Sequence, residues 1–223
     1  MDNPPPVRSF GRIKSRTIKP RQAALMETLL PQIRAPLVAF DPRTLWPGYR
    51  GVWLEIGFGG GEHLAAQADA HRDVLFLAAE PFQNGVASAL RHIADRGLSN
   101  IRLQDGDVRE LIANLPAASL DRAFILFPDP WPKARHHKRR LINAETLAEL
   151  ARVLKPGAPL RFATDWADYA DWTLERVLAG GQFLWPAARA DDWRVPPADH
   201  VTTRYEEKKL GDCAPVFLDL VRA

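Results

Sequence analysis

Apolar residues along the chain gather into short continuous runs separated by longer amphipathic stretches. GVWLEIG (51–57), VLFLAAE (74–80), NIRLQDGD (100–107), LDRAFILFPDP (120–130) and APLRFATD (158–165) have the length and content of buried strands. Between them lie helical patterns at 61–70, 82–97, 108–115, 139–157 and 166–181. The tail adds a strand pair around QFLW and PVFLDLV. Strands alternating with helices of ten or more residues predict an α/β fold, a doubly wound, mostly parallel sheet with helices on both faces. Ligands of such sheets bind outside the carboxyl ends of the strands, so the residues closing each run are the candidates for chemistry.

Residues 1–20 break this pattern. They hold Pro4, Pro5, Pro6 and Pro20, several arginines and lysines, and one acid, Asp2. Proline density and charge oppose packing, which predicts a mobile or loosely docked arm preceding a single domain over 21–223. It reads either as a frayed terminus or as a basic arm that touches phosphate. No apolar segment follows its charges as a secretory signal requires, and its three consecutive prolines oppose the amphipathic helix of a mitochondrial transit peptide.

Composition sharpens the picture in three ways. The 223 residues are 46% hydrophobic and 26% charged, enough for a sizeable core and against disorder of the whole chain. No apolar run reaches the ~18 residues of a spanning helix. The single cysteine, Cys213, rules out an internal disulfide and a cysteine-cluster zinc site, and adjacent His136 and His137 cannot share one metal on a helix. The formal charge of +3 is small, so its distribution matters more than its sum.

The first strand runs into Gly57, Gly59, Gly60 and Gly61, a turn that lets a ligand approach the backbone. A dinucleotide fingerprint would need glycine at 62, where Glu62 stands, and an acid there repels a pyrophosphate. No phosphate-binding G-x-x-x-x-G-K-[ST] loop occurs. A nucleoside cofactor without phosphate remains, and S-adenosylmethionine fits. Glu55 suits a cationic ligand, Glu80 can accept from ribose hydroxyls, and Asp107 lies where an adenine amino group would be. Asp107 could also be only the cap of the helix it precedes.

ILFPDPWPKARHHKRRLI (125–142) is the most informative stretch. Pro128, Pro130 and Pro132 stiffen a loop that can hold Asp129 beside a reacting methyl group. Lys133, Arg135, His136, His137, Lys138, Arg139 and Arg140 follow and are expected to open a helix. Cations are disfavoured at that end of a helix, so phosphate binding explains them better than stability. Asp165 closes the fifth strand, and Thr203, Arg204, Tyr205 and Glu206 offer the donor, stacking plane and acceptor that a base edge needs.

Together, LEIGFGGGEHL, GDVREL, FPDPWPKARHHKRRL, ATDW and TRYE resemble bacterial tRNA (guanine-N7)-methyltransferases over roughly residues 51–210. The resemblance implies a Rossmann-like class I methyltransferase fold with a seven-stranded sheet. It also implies methyl transfer from S-adenosylmethionine, leaving S-adenosylhomocysteine, to N7 of the variable-loop guanine at position forty-six of tRNA. On this likeness Glu55, Gly57, Gly59, Glu80, Asp107 and Asp129 contact the cofactor, and Asp129 is catalytic. Lys133, Asp165 and Thr203, Arg204, Tyr205 and Glu206 contact the guanine, and the run Arg135–Arg140 contacts RNA. It implies a cytoplasmic enzyme that needs no metal, no membrane and no obligate protein partner. An exocyclic-amino RNA methyltransferase, which uses a comparable Pro-rich loop, and a non-catalytic RNA-binding protein on the same fold are the alternatives. Guanine N7 carries an in-plane lone pair and no proton, so the expected catalysis is positioning and electrostatics without a general base.

Overall fold

The computed structural model describes residues 10–223 apart from Arg12, Arg16 and Pro47. The arm's first nine residues, with most of its prolines, lie outside the described residues. Five parallel strands, β1 (Gly51–Ile56), β2 (Val74–Ala79), β3 (Ile101–Gln104), β4 (Arg122–Leu126) and β5 (Pro159–Thr164), occupy the predicted runs. β6 (Phe183–Leu184) and β7 (Val216–Arg222) form the tail pair, with β7 antiparallel to β5. The sheet order is β3-β2-β1-β4-β5-β7-β6, so the order reverses between β1 and β4. That reversal opens the crevice in which open α/β sheets hold ligands.

The strands are buried because both faces are covered. Val52, Leu54 and Ile56 of β1 pack with Leu111, Leu147 and Leu150 of α5 (Val108–Ala113) and α6 (Ala144–Val153). On the other face Phe76 and Ala78 of β2 pack with Leu64 and Leu90 of α3 (Glu62–Ala70) and α4 (Gln83–Arg96). Two helices stand before the sheet, α1 (Pro20–Thr28) against α4 and α2 (Leu30–Ile33) against β3. They lie before Gly51, where the alternating pattern begins.

The basic run does not open α6. Residues Ala134–Arg139 form a 3-10 segment, and α6 begins only after Asn143, whose side chain accepts from Thr146 N at 2.9 Å. The cap decides the start: Asn143 satisfies a free helix N–H, whereas the cations before it would face the positive end of the dipole. The basic run therefore has no α-helix N-terminus with which to share a phosphate.

After β6 the chain passes through α8 (Asp191–Arg194) and α9 (Arg204–Glu207) before β7. The connecting loop is held to the sheet by one acid. Asp199 accepts from Arg122 of β4 at 2.8 Å and Arg161 of β5 at 2.5 Å, and its carbonyl accepts from Gln67 of α3 at 2.7 Å. Burial pushes the Asp199 carboxyl up, but the two guanidinium groups outweigh it and hold it at about 2. Asp199→Asn is expected to lower stability by about 1–3 kcal/mol, because two largely buried cations lose their shared charge partner. A depressed acid stabilises fully above its unfolded value of 3.8 and loses that contribution as the pH falls toward about 2. Denaturant melts should therefore show the gap between wild type and variant closing over that window; a constant gap would refute the ion-pair account.

Candidate active site

The glycine turn is built for close approach. Gly57, Gly59 and Gly61 have φ of 73°, 52° and 80°, a conformation costly for side chains with a β-carbon. β-Carbons built at Gly57 and Gly59 would meet nothing within 4 Å, so this turn presents bare backbone to open space. Behind it the packing is tight. A β-carbon at Gly85 of α4 would fall 2.3 Å from the Gly59 carbonyl, and one at Gly61 would fall 2.5 Å from Ala89 Cβ. Gly85, inside a helical pattern, is the signal of close approach that sequence reasoning passed over.

Glu80 follows β2 and closes the turn. Its Oε2 accepts from Gly59 N and its Oε1 from Phe82 N, both at 2.8 Å. Burial raises the Glu80 carboxyl above its ordinary value despite those bonds. Each oxygen keeps a second lone pair, as acceptance from a ribose diol requires. Glu55 is deeper: it is 2% exposed, and its Oε2 shares a 2.8 Å hydrogen bond with His63 Nδ1, also 2% exposed. Its other oxygen has no partner among the described residues, and His63 is a partner that the sequence reading missed. Asp107 caps α5, accepting from Arg109 N at 3.0 Å, with the Arg109 guanidinium on both oxygens. The capping role is real, and any adenine contact shares a carboxylate already engaged.

At the end of β4 the backbone is strained. Phe127 and Trp131, both bulky, have φ of 51° and 46°, bracketing Asp129. Among the described residues no hydrogen bond or ion pair holds the Asp129 carboxylate, and desolvation pushes it above the ordinary value. Its charge adds to the upward push on both Glu80 and Tyr205, and β4, the strand it follows, lies between β1 and β5 in the sheet. The arm passes beside it: a β-carbon at Gly11 would be 3.6 Å from Asp129 Oδ2. Further along, the Ile13 carbonyl accepts from Gln83 N, and Ser15 N donates to Asn84 at 3.0 Å.

Asp165, buried at the end of β5, accepts from Tyr205 OH at 3.3 Å. The Tyr205 ring lies 5.7 Å from that of Phe127, joining the β4 and β5 ends. A cavity of about 290 Å³ opens here, lined by Asp165, Glu206, Lys209, Gly211 and Cys213 among others. The other three residues of the Thr203–Glu206 run have hydrogen-bonding or ionic partners of their own, Glu206 while also lining the cavity. Thr203 and Glu206 form a reciprocal capping box on α9, and Glu206 Oε1 is 2.8 Å from His200 Nε2. Arg204 Nε points to Glu62, 3.2 Å away. Tyr205 is thus the member turned to Asp165.

The basic run divides. Lys133, Arg135 and Lys138 are exposed, and His136 and His137 are partly buried, the latter edge-on to Trp172. Arg139 stacks between the Phe10 and Trp131 rings at 5.2 and 4.9 Å. Arg140 is 2% exposed and turned inward. The expectation that Arg140 contacts RNA is corrected: a guanidinium buried in the fold cannot reach a phosphate.

The seven-stranded, mostly parallel sheet, with an acid-closed glycine turn after β1 and a cavity beside Asp165 at the end of β5, is the architecture of a class I methyltransferase. A family model described as "Putative methyltransferase" matches residues 50–217. A tRNA (guanine-N(7)-)-methyltransferase of Caulobacter sp. (strain K31) is 65% identical over 97% of this chain and 96% of its own. One from Hyphomonas neptunium is 52% identical over 96% and 98%. The chain belongs to this family of tRNA (guanine-N(7)-)-methyltransferases. Among solved structures, a 16S rRNA (adenine(1408)-N(1))-methyltransferase with SAM from Catenulisporales acidiphilia superposes with a TM-score of 0.54. It is 18% identical and covers 83% of this chain and 93% of its own, a likeness of fold. No described helix is long and apolar enough to cross a membrane.

Proposed function

We propose that this chain methylates N7 of the variable-loop guanine at position forty-six of tRNA, using S-adenosylmethionine, with Asp129 as the catalytic residue. The observation that carries this reading is the place of Asp129, a carboxylate unpaired among the described residues, just past β4, the strand that lies between β1 with its glycine turn and β5 with Asp165. S-Adenosylmethionine supplies a methyl group on a sulfonium. The open glycine turn and Glu80 fit its uncharged ribose better than a pyrophosphate, since Glu62 sits at the following helix start. Asp129 accepts from the guanine N1–H and amino groups and stabilises the positive charge that builds on the purine. Tyr205 and Asp165 hold the base in its plane. No residue is asked to remove a proton from N7.

The direct test is methyl transfer from labelled cofactor to two tRNA transcripts, one with guanine at forty-six and one with adenine. Label in the first alone is expected. Label in both would discard the position, and label in neither, with cofactor still bound, would discard the substrate.

The exposed cations give a separate expectation. Alanine at Lys133, Arg135 or Lys138 should weaken tRNA binding and reduce the slope of log affinity against log salt by about 1 each. Unaltered slopes in a salt titration of all three would remove them from the RNA interface.

A further inference from the structure

Arg140 ends the basic run, yet its environment is that of a clamp. Its Nε donates to the Pro130 carbonyl at 2.9 Å, and an Nη pairs with Asp168 at the start of α7 (Ala167–Gly180). The guanidinium carbon lies 4.9 Å from the ring centres of both Tyr169 and Trp172 on the same helix. The Tyr169 hydroxyl in turn accepts from Ile142 N, just beyond Arg140.

The Pro130 carbonyl is a telling place to grip. Pro128, Pro130 and Pro132 have no N–H, so the loop carrying Asp129 has few groups with which to hold itself. Upstream it is tied where Phe127 N donates to the Ala163 carbonyl at 2.8 Å. Downstream, within 128–132, the bond from Arg140 is the tie among the described residues. Between these ties stands Asp129, whose own carboxylate has no described partner, so its direction is inherited from the backbone. The far end of the clamp is α7, the helix that begins two residues after Asp165.

We propose that Arg140 is a positioning residue for Asp129. It fixes the Pro130–Trp131 peptide, one residue beyond Asp129, against the start of α7 and so sets the catalytic carboxylate relative to the Asp165 side of the site. This rests on the reading of Asp129 given above. Arginine suits the task because its planar fork makes two bonds in fixed directions while its face covers aromatic rings. A lysine ammonium can satisfy Pro130 or Asp168 but lacks the rigid geometry for both.

The experiment is a double-mutant cycle with Arg140→Lys in the wild-type and Asp129→Asn backgrounds, on the full chain with tRNA and cofactor. Arg140→Lys alone should lower kcat by about 10- to 30-fold, less than the ~10² of an ångström-scale misplacement. Affinity for tRNA and its salt slope should stay unchanged, unlike those of the exposed cations. In the Asp129→Asn background the same change should cost less than about twofold, because the group it positions is already disabled.

A slope that falls by about 1, with weaker tRNA binding, would make Arg140 a phosphate contact and overturn the proposal. An equal loss in both backgrounds would make it a general structural residue and overturn it as well. Unchanged turnover in Asp129→Asn alone would instead sink the reading of Asp129. Asp168→Asn loosens the clamp from its exposed end and guards against a misfolded Arg140 variant. It should lower kcat about three- to fivefold in the wild-type background and not in Asp129→Asn; loss in both would count against the clamp.

Discussion

Asp129→Asn should lower the single-turnover rate by about 10²–10³ with cofactor affinity changed by less than about tenfold. The substitution preserves size and leaves the proline-bounded loop intact. It removes the negative charge and turns an amide N–H₂ toward a guanine edge that presents only donors, N1–H and the amino group. The interaction lost is strongest in the transition state, where the purine becomes cationic, so the deficit belongs in kcat. The pH dependence has a definite sign. Desolvation raises the Asp129 carboxyl above 3.8, and the ionised form is the one that accepts hydrogen bonds. Activity should fall as the pH drops through an apparent value above the usual aspartate range, and this acid limb should vanish in the asparagine variant. Equal rates for the two proteins would end the assignment.

Glu80→Gln should weaken cofactor binding by about 10²-fold, measured by calorimetry with S-adenosylhomocysteine. The carboxylate accepts from Gly59 N on one side and Phe82 N on the other. An amide has a single acceptor oxygen, so one of those N–H groups would face another donor. The turn must then shift, and one ribose acceptor is lost with it. Losing charge-assisted bonds worth about 1.5–3 kcal/mol each accounts for that magnitude. The rate at saturating cofactor should fall far less than in Asp129→Asn. Affinity within twofold of wild type would place the ribose elsewhere.

Much of this molecule was legible in the chain. The five parallel strands stand where apolar runs stand, because a strand covered on both faces must be apolar at most of its positions. The acids at the strand ends were legible because a parallel sheet gathers its carboxyl ends on one edge, whatever the intervening distance in sequence. Periodicity is less informative about helix starts: the pattern predicts a helix from 139, and a local cap at Asn143 starts it at Ala144, five residues later.

Sequence by itself therefore determined the fold class, the ligand edge and the chemical types of the groups on it. Only tertiary structure decided which of those groups are free to act. Arg140 and Arg135 are the same residue type in one basic run, yet one is buried against Tyr169 and Trp172 and the other faces solvent. Thr203, Arg204 and Glu206 carry suitable atoms for a base edge but use them on each other, on His200 and on Glu62. The physical reason is that hydrogen-bonding capacity is local to a residue, whereas its availability depends on partners brought in from distant positions. Asp199 meets Arg122 and Arg161, and Tyr205 meets Asp165, only when the chain is folded.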